Sequence, residues 1–203
     1  MTYIASTQKP DLGPLTRITH LDGPDIDIFV GDKRAISDPA LLAENGIKMV
    51  LNCAVNLDVD IVEAPDPSAE ALPWGRGYVR YYKLGLVDGP GNPMPMILAG
   101  YYQLAGLIEQ QFPDKPSYPM RERGNVLVNC RAGRSRSVTL VGLYLHLQMP
   151  ERFPTLAEAI DFVAAKRGLA ENIRHKTPKP VLIGAAEWAA EMVKMIRPHM
   201  VAQ

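Results

Sequence analysis

VLVNCRAGRSRSVTLVGLYL, residues 126–145, reads as three pieces joined without a break. Residues 126–128 are a short apolar strand, 130–136 a small loop containing a glycine, and 138–147 an apolar helix. A strand that enters such a loop and leaves it into a helix builds an anion site. Backbone N–H groups of the loop converge on a phosphate, and the helix N-terminus adds partial positive charge. Cys130 opens the loop and Arg136 closes it, with five residues between. That spacing lets the loop curl so that the sulfur sits beneath a phosphorus while the guanidinium forks two phosphate oxygens. The same field favours the thiolate, which is the nucleophilic form of cysteine. Ser137, next after the arginine, is placed to hydrogen-bond the sulfur and help it leave. Arg131, Ala132, Gly133, Arg134, Ser135 and Arg136 form the expected phosphate cradle.

The competing reading is a cysteine buried in a core, the commonest fate of cysteine at a strand end. Such a cysteine has no use for Arg-Ala-Gly-Arg-Ser-Arg-Ser behind it, because the arginines at 131, 134 and 136 repel one another unless an anion lies between them.

Outward from the loop, strands alternate with helices. Residues 26–30 alternate apolar with acidic and read as a strand stopped at Gly31. Ser37-Asp38-Pro39 supplies a helix start, and Asn45-Gly46 ends that short helix. IKMVLNC, 47–53, reads as a buried strand, and 78–84 as another. Between them, 56–77 hold acidic groups, prolines and Trp74 and form an inserted loop. Helical spacing covers 96–112, and 113–124 is a proline-broken loop. Thr155-Leu-Ala-Glu158 is a capping box opening a helix that closes at Lys166-Arg167-Gly168, and a last helix spans 181–196. The order predicts an α/β sheet flanked by helices, with a helical C-terminal half. Residues 1–25 are polar and Pro/Gly-punctuated and are expected to form a surface arm before a single domain over 26–200.

Composition narrows the function classes. The chain has 203 residues, 47% hydrophobic and 22% charged, with 22 Lys plus Arg against 22 Asp plus Glu. No global basic field points to nucleic acid or a membrane surface, so any attraction for anions is local. Two cysteines, Cys53 and Cys130, with no CxxC pair and no signal-like apolar segment in MTYIASTQKPDLGPLTR, suggest cytosolic thiols. The longest apolar stretches are interrupted by charge (Glu187, Glu191 and Lys194 in the last helix), so no membrane span or stable membrane association is expected. His20, His146, His175 and His199 lie far apart without ligand spacing; neither a metal site nor a cofactor is expected.

The stretch 126–145 resembles the active-site segment of the dual-specificity branch of the protein tyrosine phosphatase superfamily, whose pattern is His-Cys, five residues, Arg, then Ser or Thr. IFVGDKRAISDPALLAENGIKMVLNCA is similar to that family's early strand, helix and "Leu-Asn" strand, and LAEAIDFVAAKRG to the segment after its catalytic helix. The resemblance implies a mostly parallel central sheet of protein tyrosine phosphatase type. It implies hydrolysis of phosphomonoesters, phosphotyrosine and/or phosphoserine/threonine, through a cysteinyl-phosphate. One departure stands out: Asn129 occupies the place of the usual His. An asparagine amide can donate to backbone but carries no charge, so a somewhat less acidic Cys130 is expected.

The resemblance also implies a general acid on a loop after a strand that precedes the catalytic one. Asp88, in YYKLGLVDGPGNP, has that position, although Asp-Gly is also an ordinary turn pair. Asp114 is the next choice, and Asp58 and Asp60 follow. In this fold the strand ending at Cys53 runs beside the catalytic strand, which suggests a protective disulfide with Cys130 on oxidation. Arg131 and Arg134 either face solvent or favour an anionic leaving group. The loop is also close to that of the mitochondrial-type phosphatidylglycerophosphate phosphatases of the same superfamily, so a phospholipid or phosphoinositide is the alternative substrate to a phosphoprotein. A module that binds phosphate without turnover is the other alternative; it would have no use for Cys130. Oligomeric state is not legible.

Overall fold

The computed structural model describes residues 11–61, 77–115, 118 and 122–200. In chain order the elements are β1 (Leu15–Leu21), β2 (Ile26–Gly31), α1 (Lys33–Ile36), α2 (Pro39–Glu44), β3 (Ile47–Ala54), β4 (Arg80–Leu86), α3 (Pro95–Glu109), β5 (Asn125–Asn129), α4 (Arg136–Gln148), α5 (Leu156–Lys166), α6 (Glu171–Arg174) and α7 (Pro180–Met200). Five strands form one sheet in the order β1-β2-β5-β3-β4. Only β1 runs antiparallel; β2, β5, β3 and β4 are parallel neighbours. This is the mostly parallel, helix-flanked α/β sheet that the sequence predicts.

β5 is the middle strand, which explains its composition. A parallel strand covered on both faces reads as a continuous apolar run rather than an alternating one. Val126 and Val128 face the larger core with Met49, Leu51, Leu104 and Leu140, while Leu127 faces the smaller one with Val50, Ala35 and Leu42. α4 is buried along nearly its whole length, between the sheet and α3, α5 and α7. Its apolar surface on every side therefore has a partner. Gly142 permits the approach of α5: a Cβ there would meet Ile160 Cγ1 at 2.6 Å and the Ile160 Cα at 3.0 Å. α2 starts at the Asp38 cap, whose side chain accepts from the Leu41 N–H, and α5 carries the complete Thr155/Glu158 capping box.

The structure departs from the sequence reading at the first strand, at two short helices and at the end of the last helix. Residues 15–21, expected in the surface arm, form β1 and pair with β2. A register shift between Arg17 and Thr19 breaks the period-2 pattern, and an edge strand carrying Thr, Arg and His hides the rest. The short helices α1 and α6 span four residues each, too few for periodicity to reveal. α7 runs to Met200, past the expected end at Ile196. Residues 62–76 of the expected inserted loop, with Trp74, lie outside the described residues. Among the described residues no helix is long and apolar enough to cross a membrane.

Because β2, β3, β4 and β5 are parallel, the segments leaving their C-terminal ends gather on one edge of the sheet. Open α/β sheets bind ligands at that edge. It brings together the loops after Gly31, Ala54, Leu86 and Asn129.

Candidate active site

Cys130 follows β5 directly and is 2% exposed. Its N–H donates to the Gly31 carbonyl at 3.3 Å. The loop that follows is held from outside by its carbonyl and hydroxyl oxygens. Arg131 O accepts from the Lys33 N–H (3.3 Å) at the start of α1. Gly133 O accepts from Arg167 Nε (3.2 Å), and Ser135 Oγ accepts from the Lys179 N–H (3.1 Å) before α7. With these oxygens engaged outside, the backbone N–H groups of Arg134 and Ser137 point inward to the Cys130 sulfur. Gly133 has φ +62°, and a Cβ there would lie 2.7 Å from Gly31 O and 3.0 Å from Arg167 Nη2. Conformation and space both demand glycine.

Arg167, just beyond α5, is 1% exposed, and among the described residues its hydrogen bonds go to neutral acceptors. Besides Gly133 O these are Leu12 O (2.9 Å), Thr16 Oγ1 (2.8 Å) and Gly13 O (2.8 Å). Burying a guanidinium costs several kcal/mol, which these bonds offset. Burial pulls its pKa below the ordinary arginine value, against the charges of Asp32 and Cys130. Arg167 thus bolts the loop to the segment leading into β1. In the sequence it shows only as a helix end.

The Cys130 Sγ lies 3.3 Å from Ser137 Oγ. Burial alone pushes the thiol up. The Ser137 hydroxyl and N–H, the Arg136 charge and the Arg134 N–H outweigh it, and the net shift is downward. Arg136 is 3% exposed; its Nη1 donates to Leu86 O (2.9 Å) and Asn56 Oδ1 (3.0 Å). Its Nε is buried without a partner among the described residues, a donor of the kind a phosphate oxygen would satisfy. Asn56 was missed in the sequence, where nothing sets it apart from any other polar residue after a strand.

Asp88 is exposed, two residues past Leu86, on the same sheet edge as Cys130. Asp114 lies in the connection from α3 to the start of β5, at the opposite end of that strand. Asp58 is on the correct edge but ion-pairs with Lys83. Position separates Asp88 from Asp114, and the ion pair with Lys83 separates it from Asp58.

Asn129 is fully buried and neither amide atom has a partner among the described residues, so the donation to backbone that an asparagine can make is not made there. Strand alternation sets it on the face of Leu127, opposite to Cys130, so its amide gives nothing to the sulfur. Asn52 and Asn129 are register partners, which makes Cys53 and Cys130 the next residues on adjacent strands. Both cysteines are free and buried. Burial first, and then the neighbouring Cys130, push the Cys53 thiol well up. The more acidic thiol of the two is Cys130.

These contacts make the pH behaviour testable. Ser137→Ala removes the strongest acidifying contact, so the Cys130 pKa rises. The thiolate then forms only at higher pH, and the acidic limb of kcat/KM moves to higher pH with it. Iodoacetate alkylation rate against pH reads the same shift; an unmoved curve would assign the acidity to Arg136 and the backbone alone.

No family model matches the chain. Dual specificity protein phosphatase 14 of Bos taurus is 31% identical over 157 residues, covering 77% of this chain and 62% of the relative. Dual specificity protein phosphatase 13B of Homo sapiens is 30% identical over 179 residues, covering 81% and 78%. In fold the chain is similar to the Yvh1 phosphatase domain from Chaetomium thermophilum, with a TM-score of 0.60 and 23% identity, covering 88% of this chain and 96% of that one. The chain belongs to the dual specificity protein phosphatases. It spans 62% of the length of the first curated relatives it matches.

Proposed function

We propose that this chain hydrolyses phosphate monoesters of tyrosine and/or serine/threonine in proteins, through a cysteinyl-phosphate intermediate. One observation carries the reading: an acidified, buried Cys130 lies 3.3 Å from Ser137 Oγ at the mouth of a helix whose first residue is Arg136. A pure phosphate binder would have no use for such a sulfur.

In this reading the Cys130 thiolate attacks phosphorus while Arg136 forks two non-bridging oxygens and the loop N–H groups of residues 131–136 hold the third. The bond from phosphorus to the leaving oxygen breaks, and Asp88 gives that oxygen its proton. Asp88, now a carboxylate, takes a proton from water as the water oxygen attacks the phosphoenzyme. The S–P bond breaks, and the Ser137 hydroxyl donates to the departing thiolate. We assign the phosphatase domain to begin with β1, at Leu15 rather than residue 26, since Arg167 binds both that segment and the loop. Two free thiols support a cytosolic setting.

Release of phosphate from para-nitrophenyl phosphate by the purified protein tests enzyme against binder. Vanadate binding without turnover would favour the binder. A panel of phosphopeptides and phospholipids then tests the substrate class. For the general acid, Asp88→Asn should lower kcat by about two to three orders of magnitude on aryl phosphates with poor leaving groups. The loss should be small where the leaving group is already acidic. Equal losses across the series would confine Asp88 to shaping its turn.

A further inference from the structure

Asp88 sits in a six-residue run, Val87-Asp-Gly-Pro-Gly-Asn92, that has little rigidity of its own. Gly89 and Gly91 hold φ of +154° and +106°, and Pro90 has no N–H to donate. No backbone hydrogen bond joins two residues of this run among the described residues. Its shape is instead set by one side chain. Asn92 Oδ1 accepts from the Val87 N–H at 2.8 Å, and its Nδ2 donates to Val87 O at 2.9 Å and Gly89 O at 3.1 Å. The three bonds bracket Asp88 on both sides.

The first of them has a second end. The peptide between Leu86 and Val87 offers its N–H to Asn92, and its carbonyl, Leu86 O, accepts from Arg136 Nη1 at 2.9 Å. One peptide plane is therefore gripped by Asn92 on one edge and by the loop-closing arginine on the other.

We propose that Asn92 is a positioning residue: it holds Asp88 in register with Arg136, so that a phosphate gripped by the guanidinium meets the carboxyl at its leaving oxygen. The proposal rests on the reading of Asp88 as general acid. An asparagine that merely closes its own turn would make the same three bonds but would have no link to proton delivery. The two roles part in the kinetics. Loss of a turn staple slows all substrates alike, whereas displacement of an acid slows only those that need its proton.

The test uses the full chain and aryl phosphates of graded leaving-group pKa, with wild type, Asn92→Ala, Asp88→Asn and the double variant. Asn92→Ala should lose on the order of 10- to 100-fold in kcat on the poorest leaving groups. On the most acidic it should lose less than about twofold, with KM little changed. The double variant should be no slower than Asp88→Asn alone, because an acid that is absent cannot be displaced. A uniform loss across the series, or losses that multiply in the double variant, overturns the proposal. Asn92→Asp, which keeps the acceptor for the Val87 N–H and loses both donors, is judged by the same pattern if the alanine variant folds poorly. Wild-type iodoacetate reactivity of Cys130 checks that the sulfur's surroundings are intact in each variant. If Asp88→Asn itself shows no leaving-group dependence, the general-acid reading falls and this proposal with it. If only Asn92→Ala lacks the dependence, the proposal alone falls.

Discussion

Cys130→Ser should remove turnover, lowering kcat by at least about four orders of magnitude, while phosphate and vanadate still bind. The contacts that acidify Cys130 act on a thiol whose ordinary pKa lies within reach of neutrality, and a serine hydroxyl starts too high for the same contacts to ionise it. Among the described residues the sulfur's hydrogen-bond partners include no base either: the neighbour at 3.3 Å is the hydroxyl of Ser137, and the backbone N–H groups of Arg134 and Ser137 are donors. The anion site itself survives, since those N–H groups and Arg136 are untouched. Binding should be equal or tighter, because a thiolate no longer opposes the incoming dianion. Phosphate release from para-nitrophenyl phosphate, set beside vanadate affinity by calorimetry, reads both halves. Substantial hydrolysis by the serine variant would take Cys130 out of the mechanism.

Arg136→Lys should cost about three orders of magnitude in kcat/KM, and here binding should fail with catalysis. The guanidinium has five donors in a rigid plane. Two of its contacts, at Leu86 O and Asn56 Oδ1, fix that plane against the sheet edge, and Nε is buried without a partner among the described residues. An ammonium can replace one anchor or reach one phosphate oxygen. It cannot do both, and it cannot fork. The two variants thus separate binding from chemistry: serine at 130 keeps vanadate, and lysine at 136 weakens it. Wild-type vanadate affinity in Arg136→Lys would show that the loop N–H groups hold the anion without the fork.

What was legible in the sequence was local. Strand, loop and helix between 126 and 147 are contiguous, so the spacing from Cys130 to Arg136 carries its geometry with it, and the α2 and α5 caps are written within four residues. Asp88 could be placed because the strand before it is recognisable. What stayed hidden depends on partners far along the chain. β1 is a strand because β2 lies beside it, and its bulge removes the alternation that would betray it. Arg167 and Asn92 act mainly on backbone carbonyls and amides, which every residue has, and Asn56 meets the Arg136 guanidinium from far along the chain, so no motif marks these pairings. Asn129 is a related case: its neighbours in sequence do not say which face of the sheet its amide meets, and no partner stands there among the described residues.

The bolt formed by Arg167 also bears on how the site comes into being. Its acceptors lie 34 residues away at Gly133 and about 150 away near the start of the chain, at Leu12, Gly13 and Thr16. Contacts of such sequence separation carry the largest loop-closure cost and tend to form late. A peptide spanning the strand, loop and helix would possess every residue of the signature and none of the scaffold that turns its carbonyls outward. The anion cradle is therefore an outcome of completed folding, reached only when the segment leading into β1 and the end of α5 have met behind it.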